Sequence, residues 1–238
     1  MAAVHPQTIR EDLSHVRWIC GSSCSGKTTI ARKLASECDI DVYQMDLYFG
    51  DYIQHAAKEE HPHIYERFLQ GSYFDAVYWP KEKRRAVNIG VLQEFFCLTI
   101  ENLRHFGEKP IVLVEGLFLP EMVHEVSPKE NAVCIAVTDG FYPETFKERR
   151  ENLQEGQQGY SSEGEEWLRT FLDSERQKWL RAHLDDADRL DNDNPEVWSW
   201  IRDHMVEGAR KAGIRVIKND GSKSIDELTE IVKESLQL

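Results

Sequence analysis

The chain has 238 residues, 41% of them hydrophobic, with 42 Asp and Glu against 29 Lys and Arg, so its formal net charge is −13. That length and apolar content suit one large α/β domain, or a domain with a sizeable insertion. The acidic balance disfavours a general nucleic-acid binder, which shows a basic face, and no apolar run approaches membrane-spanning length.

The first strand-like run is Val16-Arg17-Trp18-Ile19-Cys20. It leads directly into Gly21-Ser22-Ser23-Cys24-Ser25-Gly26-Lys27-Thr28, which meets the phosphate-cradling pattern G-x-x-x-x-G-K-[ST] at every fixed position. The spacing has a chemical reason. Glycines at both ends let the backbone turn so tightly that successive N–H groups point inward at phosphate oxygens. Lys27 is placed to reach the β- and γ-phosphates, and the Thr28 hydroxyl to coordinate Mg²⁺. The following residues carry Ile30, Ala31, Leu34 and Ala35 at helical spacing. A helix opening here adds the positive end of its dipole. The competing reading is a Gly-Ser turn between two elements. Strand before and helix after favour the phosphate loop, with Gly21, Ser22, Ser23, Cys24, Ser25, Gly26, Lys27, Thr28 and Thr29 as its nucleotide contacts.

Four further strands are expected over residues 40–45, 111–114, 132–138 and 214–217. The second ends at Asp46, the third at Glu115-Gly116, the fourth at Asp139, and the fifth at Lys218-Asn219-Asp220-Gly221. Short Val/Ile/Leu runs alternating with helices predict an α/β fold: a five-stranded parallel sheet sandwiched by helices. Sites gather at the carboxyl ends of such strands. Glu115 is then a candidate to hold Mg²⁺ through water or to position an acceptor, against a plain strand-end acid. Asp46 is a candidate base for an acceptor hydroxyl, against a helix N-cap. Two long stretches, about 47–110 and 141–212, exceed a simple connection. They are read as parts of one domain spanning 1–238, the first an acceptor-binding insertion and the second a helical lid.

Other features carry blander readings. Arg149 and Arg150 suit transferring phosphates, because the guanidinium fork bonds two oxygens, yet a solvated helix face is equally consistent. Arg176 and Arg181 read as such a face. Trp79-Pro80-Lys81-Glu82-Lys83-Arg84-Arg85 is the densest basic patch. It suits an anionic acceptor or an exposed first helical turn after Pro80. His55, His61 and His63 have no zinc spacing, and the stretch 185–194 lacks the glycine and glutamate of a calcium loop. The five cysteines form no C-x-x-C pair and read as reduced thiols of a cytosolic protein. Residues 1–13 lack a secretion-signal core, so a cytoplasmic location is expected.

Several segments resemble one family. Asp46-Leu47-Tyr48-Phe49 resembles the Asp-x-Phe-Tyr segment of the uridine kinase and phosphoribulokinase-like P-loop kinases, with the aromatics displaced. Val114-Glu115-Gly116-Leu117-Phe118 is similar to the Glu-Gly segment after their third strand, and Phe146-Lys147-Glu148-Arg149-Arg150 resembles the start of their lid. The likeness covers the core, about half the chain, and both long stretches depart from any one subfamily. It implies a nucleoside-kinase-like P-loop fold, ATP and Mg²⁺ as cofactors, Thr28 and Glu115 at the metal, and Asp46 as catalytic base beside Lys27, Arg149 and Arg150. The expected activity is transfer of phosphate from ATP to a hydroxyl of a small metabolite, with a homodimer left open. A nucleotide-binding regulator or GTPase-like switch is the rival. Ile217-Lys218-Asn219-Asp220 has the residue types of a guanine-reading element in the wrong order.

Overall fold

In the computed structural model, which describes residues 6–104, 106, 110–141, 163–182 and 194–238, the five apolar runs build one all-parallel sheet. Its strands are β1 (Val16–Gly21), β2 (Asp41–Gln44), β3 (Val112–Gly116), β4 (Ala132–Val137) and β5 (Arg215–Asn219), in the spatial order β2-β3-β1-β4-β5. Parallel neighbours need crossovers, and helices supply them. The described helices longer than one turn are α1 (Pro6–Asp12), α2 (Lys27–Glu37), α3 (Phe49–Gln54), α4 (Lys81–Leu103), α5 (Pro120–Val126), α6 (Glu163–Ala182), α7 (Asn194–Ala212) and α8 (Ile225–Leu236). None is long and apolar enough to cross a membrane.

The chain divides into two compact units. The first comprises Met1–Met45, Thr99–Gly159 and Trp200–Leu238, and holds the sheet. Its register pairs Val16 with Val112 and Trp18 with Ala132, so β1 is central. Successive strand residues face opposite ways. Ile19, Leu113, Val133, Ile135 and Ile217 form one face and pack against Ile30 and Leu34 of α2 and Leu228, Val232 and Leu236 of α8. The last three recur every fourth residue, a single stripe of α8. That helix starts at a capping box, Ser224 with Glu227, which satisfies N–H groups at its open end. On the other face Trp18 meets Phe118 edge-on at 5.5 Å, and Tyr43 meets Phe106 at 4.9 Å. The Tyr43 hydroxyl accepts from Asn102 Nδ2 at 3.1 Å. Arg10 of α1 donates to the carbonyls of His124 and Glu125, closing the carboxyl end of α5 with a cation.

The second unit comprises Asp46–Leu98 and Tyr160–Ser199, and its interior is aromatic. Phe49 stacks on Phe95 at 4.7 Å, Tyr52 lies 5.7 Å from the same ring, and Phe68 stacks on Tyr73 at 5.3 Å. The ring of Trp179, from α6, is buried against Tyr78 at 5.9 Å, and its Nε1 donates to Asp75 at 3.1 Å. Asp75 also accepts from the Ser72 backbone N–H, the second half of a capping box that starts the 3₁₀ turn Tyr73–Tyr78.

Strand boundaries shift from expectation by one or two residues, and the shifts in β2 and β3 move candidate residues. β2 stops at Gln44, paired with Glu115, because Met45 packs over Gly116, where an added methyl would come within 2.8 Å of Met45 Cβ. Asp46 therefore sits inside the 3₁₀ turn Met45–Tyr48 rather than at a strand end. β3 continues through Glu115 to Gly116, since Ile19 and Cys20 of β1 pair with those two residues. The candidate carboxylate thus belongs to the sheet itself.

Candidate functional site

The loop between β1 and α2 is shaped by its backbone. Gly21 has φ +146°, and a methyl group there would collide with the carbonyl oxygen of Ile135 on β4. Gly26 has φ +91° and caps α2 in the left-handed region, which favours glycine. Cys24 also takes positive φ, 60°. No side chain caps α2, so its first-turn N–H groups keep their donor capacity at the positive end of the helix. Together these features make a concave run of donors, which is what an oxyanion needs.

Side chains complete the loop. Lys27 is nearly buried, and its Nζ donates to Ser22 O at 2.8 Å, so the ammonium curls over its own loop. Thr28 Oγ1 donates to Glu115 Oε1 at 2.9 Å. Glu115 is 1% exposed, which places a carboxylate in the interior with a hydroxyl directly in front of it. Asn219, the last residue of β5, donates from Nδ2 to Ser25 O at 3.1 Å, and its Oδ1 accepts from Gly221 N at 3.3 Å. It pins the loop between β1 and α2 to the turn after β5. Sequence reasoning placed this turn on the same rim but missed the role of Asn219. A single amide in a polar turn carries no spacing signal, and only the register of β4 with β5 brings it to the loop.

The residues present fit a nucleotide with Mg²⁺. The Oγ atoms of Ser22 and Ser25 are buried and have no protein partner among the described residues. An orphaned buried hydroxyl costs about 1–3 kcal/mol, which a ligand oxygen can offset. Mg²⁺ at phosphates takes one or two protein oxygens and keeps several waters. Thr28 Oγ1 backed by Glu115 meets that need. Among the described residues there is no cluster of three or more His, Cys, Asp or Glu of the kind that cages a metal without phosphates.

Asp46 is half-buried in its 3₁₀ turn and belongs to the second unit. Arg149 and Arg150 lie outside the described residues, as does most of the stretch 185–194. Arg176 and Arg181 are exposed on α6, and Arg181 Nη2 donates to Gln177 Oε1, one turn back, at 3.4 Å. The basic patch forms the first turns of α4. There Lys83 Nζ lies 2.7 Å from Glu66 and 4.4 Å above the Trp79 ring. His63 Nδ1 meets Glu94 Oε1 at 2.6 Å, and Glu94 also accepts the backbone N–H groups of His63 and Ile64. At the end of β4, exposed Asp139 pairs with Arg202 of α7, whose Nη2 also reaches Asp203 at 2.8 Å.

None of the five cysteines is in a disulfide. Cys20 and Cys134 are buried side by side in the β1–β4 register. Burial pushes the Cys134 thiol up to about 12. Burial, then the neighbouring Cys134, pushes Cys20 well above the ordinary thiol value. Both are poor nucleophiles, because the thiolate is the reactive form. Asp220, beyond β5, is held well below the usual carboxylate range by the Ser222 hydroxyl and by Lys218.

No protein-family model matches this chain, and no curated protein matches it.

Proposed function

We propose that this protein is an ATP-dependent kinase of a small hydroxylated metabolite, built on a P-loop fold that resembles the uridine kinase and phosphoribulokinase-like family. The observation that carries the reading is the paired bond set of the loop: Lys27 on Ser22 O, and Thr28 on the buried Glu115. A structural Gly-Ser turn has no need of an inward lysine and an interior carboxylate behind a hydroxyl. The strand order, with the loop leaving the central strand, also supports it.

In this reading the backbone N–H groups of residues 21–29 bind the nucleotide phosphates. Lys27 leaves Ser22 O for the transferring phosphoryl and stabilises its charge. Thr28 and Glu115 would hold Mg²⁺, which neutralises phosphate charge when bound. Asp46 orients the acceptor hydroxyl and takes its proton. The aromatic second unit carries acceptor specificity, and lid arginines, Arg149 and Arg150, add charge at the phosphates.

The test is release of ADP from ATP, with GTP in parallel, across a panel of nucleosides, sugars, cofactor precursors and antibiotics. One acceptor should raise ADP release well above the background without acceptor. Asp46→Asn should lower that turnover by roughly a hundredfold or more, the scale of general-base loss, with ATP affinity little changed. ATP binding with no acceptor-dependent release anywhere in the panel would move the reading to a regulator. Preference for GTP would move it to a switch.

A further inference from the structure

The Ser25–Gly26 peptide is the pivot of the loop between β1 and α2. Rotating a peptide plane changes ψ of the residue before it and φ of the residue after it. Gly26 stands at φ +91°, and glycine takes either sign of φ at little steric cost. The loop's own backbone therefore does not fix this plane. Turning it over exchanges what it shows, because a trans peptide is flat and carries its C=O and N–H on opposite edges. One orientation offers a donor to an oxyanion. The other offers a carbonyl oxygen that repels it.

Asn219 decides between the two. Its Nδ2 donates to Ser25 O at 3.1 Å. With that oxygen turned to β5, the Gly26 N–H lies on the edge away from β5. The bond is held from the sheet, a more rigid support than the loop. Asn219 is buried, and Val137 of β4 pairs with it. Its backbone oxygen accepts from Thr138 N at 3.1 Å, and its Oδ1 accepts from Gly221 N at 3.3 Å. These partners allow the side-chain amide one orientation, since the flipped form sets NH₂ against the Gly221 N–H and oxygen against Ser25 O. The first bond of the α2 ladder runs from Ile30 N to Gly26 O at 3.0 Å. The N–H groups of Gly26, Lys27, Thr28 and Thr29 therefore precede the ladder, and the first of them takes its direction from Asn219. Ser25 Oγ, in the same peptide unit, is buried without a partner among the described residues.

We propose that Asn219 is a positioning residue for the polyphosphate chain of a nucleotide: by holding Ser25 O it aims the Gly26 N–H at a phosphate oxygen. The proposal rests on the reading of this loop as phosphate-binding, and not on transfer to any acceptor. Asn219 makes no contact with phosphate itself. It removes the alternative in which the loop presents an oxygen to an anion, so the ligand does not meet the cost of turning the peptide. The effect belongs to the phosphates and is independent of the base.

The test is calorimetric titration of the full chain with inorganic tripolyphosphate and, in parallel, with ATP, at constant ionic strength. Amide proton–nitrogen spectra follow Gly26 in the same titrations. In the parent both ligands should bind saturably, and the Gly26 amide proton should move downfield, the mark of a bond to an anion. Asn219→Leu keeps the volume and removes the donor. It should weaken both ligands by the same factor, at least about tenfold, the scale of one bond to a charged group, and abolish the Gly26 shift. Ser222→Ala removes a hydroxyl that donates to Asp220 in the same turn and should change neither readout. If Asn219→Leu fails to fold, Asn219→Ala decides. A Gly26 amide that stays still while the parent binds overturns the proposal, as do equal affinities in the parent and the Asn219 variant. So does a matching loss in Ser222→Ala, or a loss confined to ATP, which would make the turn a reader of the base. Absence of saturable binding of either ligand by the parent overturns the loop reading together with this proposal, so the two failures are told apart.

Discussion

The loop between β1 and α2 and the aromatic interior of the second unit are built in opposite ways. The loop is one contiguous run whose shape comes from backbone angles at Gly21, Cys24 and Gly26. Single side chains from β3 and β5, Glu115 and Asn219, then brace it. The aromatic interior has no local shape of its own. Its rings come from positions as distant as Phe49, Phe68, Phe95 and Trp179, each on a different turn or helix. The difference teaches where information sits. A loop that must present donors is written in adjacent residues. A core that must exclude water is written in residues far apart.

The comparison breaks most easily at the centre of the aromatic cluster. Phe95 is buried and contacts three other rings, so Phe95→Ala should cost about 3–5 kcal/mol, read as a fall in the urea midpoint. A cost below about 1 kcal/mol would mean that the rings merely cover a unit held by something else.

In the loop, the largest effect should be on turnover rather than stability. Lys27→Ala removes the motif's side-chain cation and one bond to Ser22 O, while the backbone cradle stays. Under the kinase reading, turnover should fall at least about a hundredfold, roughly 2.7 kcal/mol of transition-state stabilisation. Thermal unfolding should change little. Near-normal turnover in a folded variant would remove the loop from the chemistry.

Gly90 sharpens the contrast between local preference and packing. Alanine inside a helix is favoured over glycine by about 1 kcal/mol. In α4, however, a methyl at Gly90 collides with the ring of His63, which Glu94 holds in place. Gly90→Ala should therefore destabilise by about 1 kcal/mol net, since overpacking costs about 1–3. In a His63→Ala background the same substitution should stabilise. Denaturant titration of the four proteins of this cycle checks the sign, and an unchanged sign would show that the ring moves aside.

A further effect is alkaline and belongs to the sheet. The Cys134 thiol is raised to about 12, against about 8.5 for an unfolded chain. A raised folded value means full stability below about 8.5 and loss as pH rises toward 12, because the unfolded chain releases its proton first. Cys134→Ala should reduce the slope of stability between pH 9 and 11 relative to the parent. Equal slopes would mean that water reaches the thiol.

Much of the first unit was legible because its signals are local. Five apolar runs separated by helical stretches predict a parallel sheet, and the glycine–lysine spacing marks the loop after β1. Glu115 was legible as an acid following an apolar run. Its burial and its bond to Thr28 were not, since both follow from β3 lying beside β1. The ends of β2 and β3 shifted for the same reason: pairing partners, not residue preference, decide where a ladder stops.

The sequence by itself determined the donor-rich turn, the helix that follows it and the class of sheet, because backbone angles and hydrophobic period are properties of neighbouring residues. Tertiary structure alone decided that Asn219 locks the loop, that His63 occupies the space Gly90 leaves open, and that Glu66 meets Lys83. Each joins residues well separated along the chain. Side-chain chemistry says what such residues can bind, but only the path of the folded backbone says which of them meet.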